Sequence, residues 1–405
     1  MTTNNDNINA SFQEFLGVED EVDEIQPFNP EEISIDKKLI TMDAILRRLE
    51  QGTIILSPDF QRNFVWDEVK KSRLIESLML KIPIPMFYVA SDEAGTFTVV
   101  DGLQRLSTIR DYILGNNKPP MIKGKLIGEG FRLSGLEFWS EKYEDFMFKD
   151  LPINIQNRIL ETEFTFTIIN PGTPEDVKRN VFKRINTGGE PLTPQEIRHA
   201  LYGGSSTKLL LELSKDESFL EATGNSVKPL RMLDRELILR FISFYIRDFT
   251  NYPKSNDMDA FLSDTMRIIN GFPSLTSKDL KKILPDDNAK SKILIKDVDI
   301  IKETFIKTMI RAFQVFNEHT FRRSIGISRR TPINKSLFEV WSVLLANLSE
   351  DEFVHLMNNK NEFLVEYSKL LDTDSFINSI SQDSWKYSGV TYRFTTLSKL
   401  IKSYI

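Results

Sequence analysis

Thr96-Phe97-Thr98-Val99-Val100-Asp101-Gly102-Leu103-Gln104-Arg105 is the stretch on which the fold turns. Its first five residues are β-branched or aromatic, which suits an extended strand. Asp101-Gly102 is a polar turn, and Leu106, Ile109 and Ile113 follow on one face of a helix. Gly115-Asn116 supplies the stop. A strand therefore runs through a glycine turn into a helix N-terminus. Free backbone N–H groups and the positive end of the helix dipole at such a junction suit an anion.

Working outward, Met86 to Ala90 reads as a strand, and Ala94-Gly95 turns it back into Thr96 to Val100 as a hairpin. Upstream, Thr41 caps a helix carrying Ile45, Leu46 and Leu49, and Ser57 to Arg62 reads as a loop. Asp67 caps a second helix with Leu74, Ile75, Leu78 and Met79 on its apolar side, ended by Pro83 and Pro85. Downstream, residues 116–150 read as a loop with short elements, and Phe164 to Ile169 as a third strand. Thr173-Pro174-Glu175-Asp176 opens a helix with the stripe Val177, Val181, Phe182 and Ile185. The polar turn Asn186-Thr187-Gly188-Gly189 follows, then the capping box Thr193-Pro194-Gln195-Glu196. Past Tyr202-Gly203-Gly204-Ser205 the pattern becomes helical: 237–245, 258–269, 300–316, 335–348 and 352–371. The expected fold class is α+β, with a small mixed sheet and packed helices over 36–205 and a mostly helical domain over 206–405.

The 405 residues are 40% hydrophobic, enough for a sizeable core, and include no cysteine. Disulfides, thiolate nucleophiles and cysteine metal sites are thereby excluded. Nothing resembles a signal peptide or a membrane span, so a soluble, cytoplasmic protein is expected. Net charge is −6, but it is unevenly placed. Residues 1–32 hold nine acids and no Lys or Arg, so the remaining body carries +3. Residues 1–35 read as a solvated, disordered acidic tail. The sharper reading makes the tail a mimic that competes with nucleic acid for a basic groove.

Chemistry concentrates at the strand–helix junction. Arg105 in the first helical turn can fork onto phosphate oxygens. Gly102 permits close backbone approach. Asp101 can hold Mg²⁺ beside phosphate oxygens or position a water. Gln104 can orient a nucleophilic water. Arg62 is a second phosphate ligand, and Arg184, Asn186 and Arg198 are further candidates. The competing structural reading has Asp101 capping the helix and Arg105 in an ion pair with no ligand. A third reading has Asp101 and Glu196 holding a nuclease metal.

Three ordered pieces carry a resemblance. They are Pro58-Asp59-Phe60-Gln61-Arg62 with Trp66, then Asp101 to Arg105, then Phe182 to Gly189 with Leu192, Glu196 and Arg198. Together with Lys81-Ile82-Pro83-Ile84-Pro85 they make residues 36–205 resemble the ParB/sulfiredoxin-like DGQQR family, which includes the ParB-like half of GmrSD-type modification-dependent restriction proteins. The chain departs from that pattern at Leu103, which stands where the family has its first glutamine. If the family's glutamine orients water or nucleotide, the departure puts catalysis in question; if it only packs, Leu103 is harmless. Leu103→Gln, which restores the family's residue, is expected to be tolerated and to raise activity.

The resemblance implies defence against foreign DNA. The expected function is binding and hydrolysis of a nucleoside triphosphate with Mg²⁺, coupled to DNA recognition or cleavage. The alternative is a non-catalytic DNA-binding or nucleotide-sensing module that recruits a separate nuclease subunit. An autonomous HNH nuclease is not expected, because His199, His319 and His355 form no ordered constellation. Late basic residues, Arg322, Arg323, Arg329, Arg330 and Lys335, read as a solvated loop or a phosphate-backbone contact. Trp385, Tyr387, Tyr392 and Phe394 read as core in preference to a base-stacking surface.

Overall fold

Phe87 and Val89 of one strand alternate into the same interior as Phe164, Phe166 and Ile168 of another. Phe87 packs 5.1 Å from Phe166 and edge-on to Phe164 at 5.4 Å, ring centre to ring centre. This aromatic cluster is the heart of a five-stranded sheet. The computed structural model describes residues 17–19, 34–56, 66–115, 130–185, 192–284, 293–326 and 328–405. The chain divides into two units, one of residues 25–192 and one of residues 1–24 with 193–405.

The first unit runs β1 (Ile35–Thr41), α1 (Met42–Glu50), β2 (Ile54–Ile55), α2 (Glu68–Met79), β3 (Phe87–Ser91), β4 (Phe97–Asp101), α3 (Leu103–Ile113), α4 (Ser140–Tyr143), α5 (Ile153–Leu160), β5 (Glu163–Ile169) and α6 (Glu175–Ile185). The sheet order is β1-β5-β3-β4-β2. β3 and β4 pair antiparallel as the expected hairpin, with Gly95 at φ +79° in its turn. β5 joins β3 in parallel, β2 joins β4 in parallel, and β1 pairs antiparallel with β5. The sheet is therefore mixed. Arg48 of α1 lies 3.8 Å above the Phe97 ring and donates to the Gly95 carbonyl at 2.7 Å, which ties the turn down.

Leu106, Ile109 and Ile113 of α3 are buried, as are Ile75, Leu78 and Met79 of α2, and the two helices pack together. Asp67 caps α2 as its sequence suggests, accepting from the Lys70 N–H at 2.7 Å. Thr41 precedes α1 as expected but makes no side-chain cap. Glu76 gives α2 a role the sequence does not advertise. Its buried carboxylate accepts the backbone N–H groups of Glu137, Phe138 and Trp139 at 2.8–2.9 Å. Three donors satisfy the charge that burial would otherwise strand.

The second unit comprises α7 (Pro194–Leu201), α8 (Ser205–Leu213), α9 (Glu217–Ala222), α10 (Leu233–Arg247), α11 (Met258–Asn270), α12 (Ser277–Ile283), α13 (Val298–Phe316), α14 (Lys335–Ala346), α15 (Glu350–Asn358), α16 (Lys360–Leu371), α17 (Asp374–Ser379) and α18 (Tyr387–Lys402). The fold is thus α+β with a helical remainder, and no described helix is long and apolar enough to cross a membrane. The helix opened by the Thr193 capping box groups with the helical unit. The helix read over 352–371 is two, broken at Asn359, whose side chain donates to the His355 carbonyl at 3.1 Å.

The acidic tail also needs correction at one point. Gly17-Val18-Glu19 is buried against the helical unit, with Val18 bridged to Ile333. An apolar Val and a paired Glu override the solvated reading there, and the rest of residues 1–33 lies outside the described residues. The late basic group is likewise no solvated loop throughout. Arg322 is buried and donates to the Thr223 carbonyl and Ser226 Oγ, and Lys335 pairs with Glu236 at 3.1 Å. Phe394 is core, whereas Tyr392 is more than a third exposed and bonds Ser375.

Candidate functional site

β4 ends at Asp101, and the chain must reverse its local geometry to start α3 at Leu103. Gly102 makes that change at φ +94°, a conformation glycine adopts without penalty. A Cβ here would sit 2.3 Å from the Phe87 ring, so the turn is also pressed against the core. Gly102, the residue before α3, has no side chain with which to cap it. The first turn of α3 lies at the positive end of an eleven-residue helix.

Arg105 crosses this junction. Its Nη2 donates to Asp101 Oδ2 at 2.8 Å and to the Met86 carbonyl at 3.3 Å, and Nη1 donates to the Pro85 carbonyl. The guanidinium also lies 4.7 Å from the centre of the Phe87 ring. Burial lowers its pKa, and the adjacent Asp101 carboxylate opposes that shift. Asp101, Gly102 and Arg105 are therefore one constellation, reaching the strand-leading segment Pro85-Met86. The expectation had Arg105 forked onto phosphate. In the structure its fork clasps a carboxylate and two carbonyls, because β3 and β4 bring residues 85–86 alongside α3.

Gln104 is half-buried in the same turn, and Arg184 is exposed near the end of α6. Arg62 and Asn186 lie outside the described residues. Arg198 is not a surface phosphate ligand. It is buried in the helical unit, where Nε donates to Gln195 Oε1 at 2.9 Å and Nη1 pairs with Asp259. Those partners lie on its own helix α7 and on α11. Glu196 closes its capping box, accepting from the Thr193 N–H at 2.7 Å, and faces Arg231 at 3.5 Å. Among the described residues no three His, Asp or Glu side chains gather as a metal cage. His199 and His319 sit in local contacts with Arg235 and Ser324.

Residues 43–203 match the family model described as the GmrSD restriction endonuclease, N-terminal domain. This segment is a GmrSD-type N-terminal domain. The match spans less than half of the chain and runs on through α7. No curated protein and no solved structure matches the chain. The GmrSD-type domain marks a restriction- and defence-related, DNA-associated protein.

Within the GmrSD-type domain, Leu103 is only 7% exposed and packs as core. Leu103→Gln is therefore expected to destabilise, against the sequence expectation that glutamine would be tolerated. Burying an amide there costs about 1–3 kcal/mol where no hydrogen-bond partner compensates. Urea unfolding of the variant checks this, and a midpoint equal to wild type would show that the pocket accommodates the amide.

Proposed function

We propose that the β4–Gly102–α3 junction binds the phosphates of a nucleoside triphosphate, and that hydrolysis or binding there governs a DNA-directed defence step. The observation that carries this reading is the left-handed Gly102 leading into the N-terminus of α3, with the Arg105–Asp101 pair at its side. Backbone donors, dipole and guanidinium all favour an anion at this place. Gln104, in the same turn, is the group to orient a water toward the terminal phosphate.

Mg²⁺ fits this junction only in company with the nucleotide. Asp101 is the motif's one carboxylate, 38% exposed at its side chain, and its Oδ2 is already held by Arg105. A single carboxylate suits a Mg²⁺ that arrives on phosphate oxygens and keeps its waters. It would supply neutralisation of phosphate charge. The protein's own share is then positioning: α3 fixes the phosphates, and Arg105 holds the Asp101 carboxylate in place.

The engagement of Arg105 with Asp101 and two carbonyls favours a second reading, a module that senses nucleotide or DNA without turnover and recruits a separate nuclease. Labelled-triphosphate binding and phosphate release, each with Mg²⁺, separate the two. Wild type is expected to bind and release phosphate. Gln104→Ala is expected to keep binding and lose about a hundredfold or more in turnover, the usual scale for a group acting in proton transfer or water positioning. Binding without turnover selects the sensing module. No binding of any triphosphate removes the proposal.

A further inference from the structure

The short segment Gly17-Val18-Glu19 is clipped to the helical unit like an added strand. The Ile333 N–H donates to the Gly17 carbonyl at 2.9 Å, and the Glu19 N–H donates to the Ile333 carbonyl at 2.8 Å. Val18 is 1% exposed. Gly17 is at φ +76°, and a Cβ there would lie 1.9 Å from the Ser226 carbonyl oxygen, so only glycine fits the slot. Beyond it the Glu19 carboxylate is itself buried. Oε1 accepts from Arg323 Nε at 2.8 Å, and Oε2 accepts from Asn334 Nδ2 at 2.6 Å. Asn334 also caps α14, so the carboxylate sits by the positive end of a twelve-residue helix.

A single Arg323 Nε–H donor, an amide donor and a helix N-terminus surround an anion, and the chain supplies that anion with its own glutamate. Arg323, Arg329 and Arg330 are exposed along the same loop. We propose that this is a phosphate site for the DNA backbone, and that Gly17-Val18-Glu19 is a built-in plug that a DNA phosphate displaces. The proposal rests on the DNA-directed role above but uses none of the nucleotide chemistry at Asp101 and Arg105.

The test is binding of a short labelled DNA duplex to the full chain at several salt concentrations, with no nucleotide present. Glu19→Gln keeps the side-chain shape and removes the competing charge. Gly17→Ala changes no charge and unseats the segment sterically. Both are expected to raise affinity several-fold at low salt, and to steepen the salt dependence by about 0.9 in log–log slope for each phosphate newly contacted. Glu14→Gln, which removes the same charge from the same tail, should give less. On an Arg323→Ala background the gains should vanish. Gains that persist without Arg323, or wild-type binding that Glu19→Gln and Gly17→Ala leave unchanged, would overturn the plug alone. Binding by no variant would overturn the site together with the DNA-directed role.

Discussion

Glu339→Gln is expected to lower the stability of the helical unit by about 3–5 kcal/mol, the usual cost of breaking a buried ion pair from one side. Glu339 has no exposed surface. Arg240 donates to it at 2.9 Å and Arg393 Nε at 3.0 Å, so one carboxylate joins α10, α14 and α18. Arg393 donates further to the Ser379 and Ser384 carbonyls, which fixes where its charge must stay. Glutamine keeps the shape but leaves two buried guanidinium charges with less to answer them. Urea unfolding reads the loss, and a change below about 1 kcal/mol, the value of a surface pair, would sink the argument. Acid should weaken the same region. Burial alone would raise the Glu236 carboxyl, but Lys335, Arg240 and Arg198 pull it from 4.5 down to about 2. A depressed folded pKa means that its contribution is fully present above pH 4.5 and fades as pH falls toward 2.

Gly102→Ala should do comparable damage in the GmrSD-type domain. The added methyl meets the Phe87 ring at 2.3 Å, and overpacking of a filled core costs about 1–3 kcal/mol. The left-handed backbone adds roughly 1–2 kcal/mol for a residue with a Cβ. Asparagine relieves part of the second term and none of the first. Thermal unfolding of both variants therefore separates them. If Gly102→Asn matches wild type, the clash with Phe87 is not real. Under the phosphate-binding role proposed for this junction, Gly102→Ala should also weaken triphosphate binding, because a displaced turn moves the first N–H groups of α3.

The hairpin and α3 were legible because alternation, a glycine turn and helical spacing are all local signals. β1 was missed for a physical reason. Its Ile35 and Leu39 are exposed and Lys37 and Lys38 sit among them, so no apolar face marks it. β2 has two residues, too few to show a period. At the site, the Asp101–Arg105 pair is visible as an i, i+4 spacing. The Pro85 and Met86 carbonyls are not, since only the pairing of β3 with β4 brings them there. Arg198 misled for the same reason: its acid partner Asp259 is 61 residues away on another helix. Glu76 carried no motif, and its role depends on a loop that the sequence pattern leaves featureless.

The docking of Val18 on Ile333 has a consequence for how the chain is made. It places the whole sheet-bearing unit, in sequence, inside the helical one. A ribosome delivering this chain completes residues 25–192 while the helical unit owns only its first short piece. At about 5–20 residues per second, Val18 then waits on the order of tens of seconds for Ile333 to emerge. The sheet unit can fold in that interval, as domains fold in order of synthesis. The helical unit cannot close its circuit until Ile333 leaves the exit tunnel. Gly17-Val18-Glu19 is in this sense the last stitch, drawn after everything between its ends has been sewn.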